Sequence, residues 1–253
     1  MPSPAPQFEL RHCHTVEEFS QCVDLQRSVW QFDDRDLIPV RMFVVARKVE
    51  GQVIGAFAPD GSLAGFCLAI PALRGSLGYL HSHMLAVLPE YRRAGLGQKL
   101  KWEQRRDALA RGIKLIEWTF DPLEWQNAAL NLNRLGAIAR RYVRNLYGIS
   151  SSPLHRGLPT DRLVAEWWLD SVRVRAASQG QVGAGFAEAR VSFPLDHTLE
   201  EGSDKPSTEL VQQQLRDQLE QAFASKQAAV GFSCDTPGYG VYLLDRADSG
   251  GGS

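Results

Sequence analysis

The residues most able to do chemistry lie at positions 84–97, MLAVLPEYRRAGLG. Leu85-Ala86-Val87 reads as the end of a strand and Gly97 as the opening of a helix. A loop at such a junction turns successive backbone N–H groups outward, and the helix dipole adds partial positive charge. Gly95 and Gly97 carry no Cβ, so an anion can approach the backbone, and Arg92 and Arg93 add fixed positive charge. Together these make a pyrophosphate cradle. The competing reading is a plain strand-to-helix turn, which Gly-x-Gly alone does not exclude. A dinucleotide fingerprint is excluded, because the third glycine is missing, and no Gly-Lys-Ser/Thr comes after to make a P-loop.

The elements that must position this loop can be read on either side of it. Phe8-Glu9-Leu10-Arg11-His12-Cys13 suits a short strand. Thr15 and Glu18 form a capping box that starts a helix with Phe19, Cys22, Val23 and Val29 on one face. Pro39 falls in the first turn of a second helix. Pro59-Asp60-Gly61 joins two apolar runs as a hairpin, and residues 78–89 form another strand stopped by Pro89. A helix ending at Gly112 and a strand ended by Asp121-Pro122 complete a βαβ crossover. Residues 127–136 read as a helix capped by Gly136, 137–148 as extended or mixed, and 161–169 as a strand. After about residue 176 an Ala, Gly, Ser and Gln texture reads as a linker, and beyond it lies a small β-α-β-β unit with its last hairpin around DTPGYG. The expectation is an α/β (α+β) protein with one domain over 8–175 and an extension over 176–253. That extension is too thin to hide its own sheet, so it should pack on the domain or on a partner subunit; its SGGGS tail reads as disordered.

Composition narrows the function. With 28 Lys+Arg against 29 Asp+Glu, nothing favours nucleic acid or an anionic membrane as partner. The 4 cysteines lie far apart without a CxxC pair, so no metal is expected, and they read as reduced thiols. The start MPSPAPQ reads as loose, without the charge and apolar pattern of a secretory signal, and no apolar run is long enough to span a bilayer, so a cytoplasmic location is expected.

Arg92-Arg93-Ala94-Gly95-Leu96-Gly97, with Val87 and Pro89 upstream, resembles motif A of the GNAT acyltransferase superfamily. NAALNLNRLGAIARRY resembles its motif B, with Leu135-Gly136-Ala137 at the helix end. FDPLEWQNAALNLNRLGA, RRYVRNLYG and GLPTDRLVAEWWL are similar to a bacterial subgroup carrying a C-terminal extension. The resemblance implies a mixed, mostly antiparallel sheet with two splayed parallel strands, and acetyl-CoA or another acyl-CoA as co-substrate. The pyrophosphate would sit on the amides of Arg93 to Gln98. The edge of Leu85, Ala86 and Val87 would pair with the pantetheine arm, and the Val87 N–H would serve as an oxyanion donor. Asn127 would contact the arm, or simply cap its helix.

Transfer to an amine needs a neutral nucleophile, a stabilised oxyanion and a proton for the departing thiolate. His81, His83, Leu85 and Val87 share one face by strict alternation, and His81 stands where some members of the superfamily carry a general base. Either histidine is equally well a packed rim residue. The usual motif-B tyrosine is replaced by Leu132, leaving Tyr142 or Tyr147 as substitute acids, although aromatic packing explains both. Arg140, Arg141, Arg144, Arg156 and Arg162 could hold a substrate carboxylate or serve as surface and structural charges. The implied function is acetyl or succinyl transfer from CoA to the amine of a small molecule, with an amino acid as one candidate, by direct attack in a ternary complex, and with a homodimer as one assembly to test. The alternatives are a protein or peptide amine acetyltransferase and a non-catalytic acyl-CoA-binding sensor.

Overall fold

The computed structural model describes residues 7–148, 158–181, 187–198 and 203–246. The linker centre at 182–186, Arg156, the first six residues and the terminal SGGGS lie outside them. The chain divides into two compact units, Met1–Glu117 with Ser150–Gly157, and Trp118–Ile149 with Leu158–Ser253.

In the first unit, strand β1 (Glu9–His12) precedes helices α1 (Val16–Trp30) and α2 (Val40–Lys48). Thr15 and Glu18 make the expected capping box, each side chain meeting the other residue's backbone amide. Strands β2 (Gln52–Phe57), β3 (Leu63–Arg74) and β4 (Leu77–Val87) come next in antiparallel order. A 3₁₀ helix (Pro89–Ala94) and helix α3 (Leu96–Ala110) then lead to β5 (Leu115–Phe120), which runs parallel to β4.

This sheet is apolar on both faces, as the continuous burial of β2 and of the first half of β3 requires. On one face α1 and α2 bring Phe19, Cys22, Leu25 and Phe43 onto Phe66, Leu68, Met84 and Ala86. The Phe43 ring stands at 5.7 Å from Phe66 in an edge-to-face contact. On the other face Leu96 and Leu100 of α3 pack on Ile54, Cys67 and Val87.

A chain of polar side chains runs through the α3 face. Lys101, only 2% exposed, donates to Ser82 Oγ at 2.9 Å and to Gln104 Oε1 at 3.0 Å. Gln52 Nε2 donates to the Gln104 carbonyl at 2.9 Å and to Asp107 Oδ2 at 2.7 Å. Arg47 donates to His12 Nδ1, so His12 Nε2 carries the proton it gives to Asp107 Oδ1 at 3.0 Å. That hydrogen bond, above all, holds the Asp107 carboxyl down at about 2.

The second unit holds a short helix α4 (Trp125–Ala128) that continues as a π turn over Ala129–Arg134. Its further elements are strands β6 (Ile138–Val143) and β7 (Arg162–Trp168), helix α5 (Val172–Ser178), β8 (Ala189–Pro194), α6 (Thr208–Ala224), β9 (Gln227–Ser233) and β10 (Tyr239–Arg246). Its sheet order is β7-β6-β9-β10-β8, so the C-terminal strands join β6 through Ala139 and Ala229. Trp167 and Tyr242 are fully buried, and each spends its polar atom on a carbonyl, Leu135 O and Pro122 O, both at 2.7 Å. Helix α5 ends at Ser178, just inside the stretch read as a linker. Its Ala and Ser texture is helical because Ser171 caps it and Val174 and Ala177 reach the core.

Burial depresses the Lys101 ammonium from 10.5 to about 7. The folded state therefore favours the neutral amine, and the penalty for burying the charge is relieved as pH rises from about 7 to 10.5. Below that window the lysine is charged in both folded and unfolded chains and its cost is constant. Chemical denaturation at stepped pH is expected to show stability rising across this window, with Lys101→Met flattening that rise.

Candidate active site

Strand β4 positions the two histidines, and it carries one residue too many. Leu68 of β3 faces Met84, but Ala69 faces Ser82, which leaves His83 as the extra residue of a β-bulge. The bulge changes the phase of the strand. Ser82 reaches toward α3 to meet Lys101, and Leu85 and Val87 also pack on the α3 side, while Met84 and Ala86 join the α1–α2 core. His81, next to Ser82, therefore faces away from Leu85 and Val87. Strict alternation fails here because it has no place for the inserted residue.

The two histidines nevertheless meet. Their ring centroids lie 6.2 Å apart with planes inclined by 38°. His81 is half-buried and His83 reaches solvent. Both imidazoles are held below the ordinary histidine range, His81 by desolvation and then by the charge of His83, and His83 by desolvation from the atoms around it. Each is thereby biased toward the neutral, proton-accepting form.

The ladder between β4 and β5 runs through Leu80–Ile116 and His81–Glu117, upstream of the bulge. Glu117 thus stands beside His81 on the same face of the sheet. It is 3% exposed and forms an ion pair with Arg74, whose guanidinium also lies 5.5 Å from the Tyr79 ring. Sequence reasoning missed Glu117. The available signal is an acidic residue at the centre of the otherwise apolar run LIEWTF, which is costly to bury unless it is partnered.

Downstream of the bulge, Leu88 donates its amide to Ala64 O at 3.0 Å. By antiparallel alternation the amides of Leu85 and Val87 point to the opposite edge. The 3₁₀ helix then ends at Gly95, whose φ of 70° is left-handed, and the same residue opens α3 without a capping side chain. Lys99 is the first α3 amide to find the Gly95 carbonyl, at 3.1 Å, so the amides of Leu96, Gly97 and Gln98 are the leading donors of the helix. No acidic residue occupies that turn. These features fit an anionic group such as a pyrophosphate, and a Cβ built on Gly95 would meet nothing within 4 Å, so the loop is open there. Arg92 folds back to donate to Val87 O at 3.2 Å. Leu96 and Ala86 are fully buried and Val87 nearly so, so these residues are available through their backbones alone. The side chains of Arg93 and Ala94 lie outside the described residues.

The remaining residues singled out belong to the second unit. Asn127 is exposed within α4 and Glu124 holds the cap position, so the simple cap reading of Asn127 is corrected. Leu132 is fully buried in the π turn, where Leu135 N reaches back to Leu130 O at 2.9 Å. Tyr142 donates its hydroxyl proton to Asp161 at 2.8 Å, and burial with this bond pushes its pKa up. The phenol is thus spent on an internal carboxylate that also receives Arg216 at 2.9 Å. The exposed Tyr147 hydroxyl lies 2.9 Å from Thr119 Oγ1. Arg140 and Arg141 both grip the buried Glu166, Arg144 pairs with Glu220, and Arg162 lies 3.6 Å from Asp121. These guanidiniums stabilise the unit, as the structural reading of them allowed. Among the described residues no group of three or more His, Cys, Asp or Glu is placed to hold a metal, and no helix is long and apolar enough to cross a membrane.

No curated protein matches the chain. Solved structures do resemble it. One is the ribosomal-protein-S18-alanine N-acetyltransferase of Escherichia coli, with 16% identity and a TM-score of 0.52 over 66% of this chain and 96% of that one. NAA60 of Arabidopsis thaliana, solved with a bisubstrate analogue, gives 15% identity and a TM-score of 0.53 over 64% and 98%. The protein yncA of Salmonella typhimurium, solved with its cofactor acetyl-CoA, gives 13% and 0.52 over 65% and 95%. These likenesses establish the fold, with its mostly antiparallel sheet and parallel β4–β5 pair. The family described as acetyltransferase (GNAT) matches residues 9–137, just over half of the chain, and the chain belongs to that family.

Proposed function

We propose that the protein is an acyl-CoA-dependent N-acyltransferase that moves an acetyl or succinyl group to the amine of a small molecule. In this reading 8–175 is the acyltransferase domain and 176–253 its extension. The observation that carries it is the junction at Gly95, where a left-handed glycine opens α3 without a capping side chain, one 3₁₀ turn after a bulged β4. Bound acyl-CoA would supply the reactive thioester. The amides of Arg93 to Gln98 would hold its diphosphate, and the outward amides of Leu85 and Val87 would align the arm. The Val87 N–H would stabilise negative charge on the carbonyl oxygen. His81, or His83 beside it, would take the proton from the acceptor ammonium, directly or through a water, since both are biased toward the neutral form. The free amine would then attack the thioester carbonyl, the C–S bond would break, and the coenzyme A thiolate would leave and take up the proton released from the attacking nitrogen.

The clamp for a substrate carboxylate loses support because Arg140, Arg141 and Arg144 are engaged with Glu166 and Glu220. A small amine therefore needs no carboxylate in this reading. Calorimetric titration with acetyl-CoA and succinyl-CoA, and then thiol release over a panel of amines and peptides, tests the proposal. Tight binding without thiol release would overturn the enzyme in favour of a sensor, and release with peptides alone would overturn the small-molecule acceptor.

Two sets of variants examine the site. Gly95→Ala forces a Cβ into left-handed backbone at a cost of about 1–2 kcal/mol, and acyl-CoA affinity is expected to fall about tenfold or more. Gly97→Ala is the contrast. Its Cβ would meet Leu85 and Val87 at an ordinary 3.7 and 3.8 Å, so the fold should tolerate it. The rate profile of kcat/KM against pH should fall on the acid side with a midpoint below about 6.5, the ordinary histidine value. His81→Gln or His83→Gln should lower the plateau and erase that limb; if neither does, the base lies elsewhere.

A further inference from the structure

Glu117 takes no proton and touches no substrate in the proposed reaction, yet it is a carboxylate committed to the interior beside His81. It is 3% exposed, it stands opposite His81 in the β4–β5 register, and its ion partner Arg74 comes from the end of β3 with 41% of its side chain in solvent. A carboxylate buried to this degree is tolerated only with a compensating charge. Arg74 supplies one, but from the rim, where solvent screens it. The face Glu117 shares with His81 leaves it placed to stabilise a second positive charge, the one that forms when an imidazole accepts a proton.

We propose that Glu117 is the positioning carboxylate of His81, stabilising the imidazolium as the acceptor amine is deprotonated, and that Arg74 sets how much of that negative charge His81 experiences. This rests on the reading of His81 as the base. The ionisable groups acting on His81 are His83 from its own strand, Glu117 from β5 and Lys101 from α3. From β3, Arg74 reaches it through Glu117. Among these Glu117 alone favours the protonated ring; His83 and Lys101 oppose it, as does desolvation. A half-buried histidine without an acidic neighbour would be a weaker base, so the carboxylate offsets the cost of placing the ring in a desolvated cleft.

The two partners of the ion pair should act with opposite sign, which a merely structural role would not produce. In ¹³C-labelled protein, the imidazole titration of His81 monitored by NMR should move down by about one pH unit or more in Glu117→Gln. It should move up in Arg74→Gln, and return toward the parent value in Glu117→Asp. The acid limb of kcat/KM should shift in the same directions. If Glu117→Gln fails to fold, the Arg74→Gln arm alone decides, because a downward or absent movement overturns the proposal. A His81 titration unmoved by either variant also overturns it, even where His81→Gln still abolishes turnover. If instead His81→Gln leaves turnover intact, the base assignment falls, and with it any role of Glu117 in the reaction, whatever the NMR titration shows.

Discussion

The site hangs on the extra residue in β4. An antiparallel pair can absorb one inserted residue only by bending the strand and rotating the residues downstream of it. In this chain the insertion falls at His83, so the strand is cut into two halves with different duties. The upstream half pairs with β5 and sets His81 beside Glu117. The downstream half turns the Leu85 and Val87 side chains toward α3, where they pack with Leu96 and Leu100. Their amides face the edge away from β3. An unbulged strand would have kept the histidines in phase with Leu85 and Val87 and sent His81 into the α3 core.

The first unit also separates its charges by face. On the α3 side, Lys101, Ser82, Gln104, Gln52, Asp107 and His12 form a connected set in which each polar group leans on the next. On the other side, Glu117 and Arg74 stand with the histidines. The sheet between them is thin enough for the lysine to weigh on His81, yet the hydrogen bonds of the two sets are distinct. Burial makes such arrangements consequential, since an ionised group in a desolvated place must be answered by a partner or by a change in its proton affinity.

The second unit uses the same physics for cohesion. Glu166, Asp161 and Glu220 collect Arg140 and Arg141 from β6, Arg144 from the turn after it and Arg216 from α6, and Tyr142 is tied to the same set through Asp161. Asn133 in the π turn exchanges two hydrogen bonds with the backbone of Phe232, at 2.7 and 3.0 Å, and so fastens the motif-B helix to β9. The C-terminal strands are thereby part of the sheet that β6 and β7 begin. Residues that look like a ligand-binding cluster in one dimension turn out to be the fasteners of a fold.

What the sequence by itself determined is local. The Thr15–Glu18 capping box, the Pro59-Asp60-Gly61 hairpin, the stop at Pro89 and the helix-ending glycines at 112 and 136 are decided by neighbours a few residues away, and they are where the residues said they would be. Motif A belongs to this class, since strand, 3₁₀ turn, glycine and helix succeed one another within one short stretch of chain. Tertiary structure alone decided the rest. The bulge depends on how β4 meets β3, the importance of Glu117 on which strand lies beside it, and the fate of the arginines on carboxylates up to 76 residues away. Helix α5 needed its apolar side to find a core before its Ala and Ser texture became helical. Pairing partners, register and burial arise between distant segments, and no spacing within one segment encodes them.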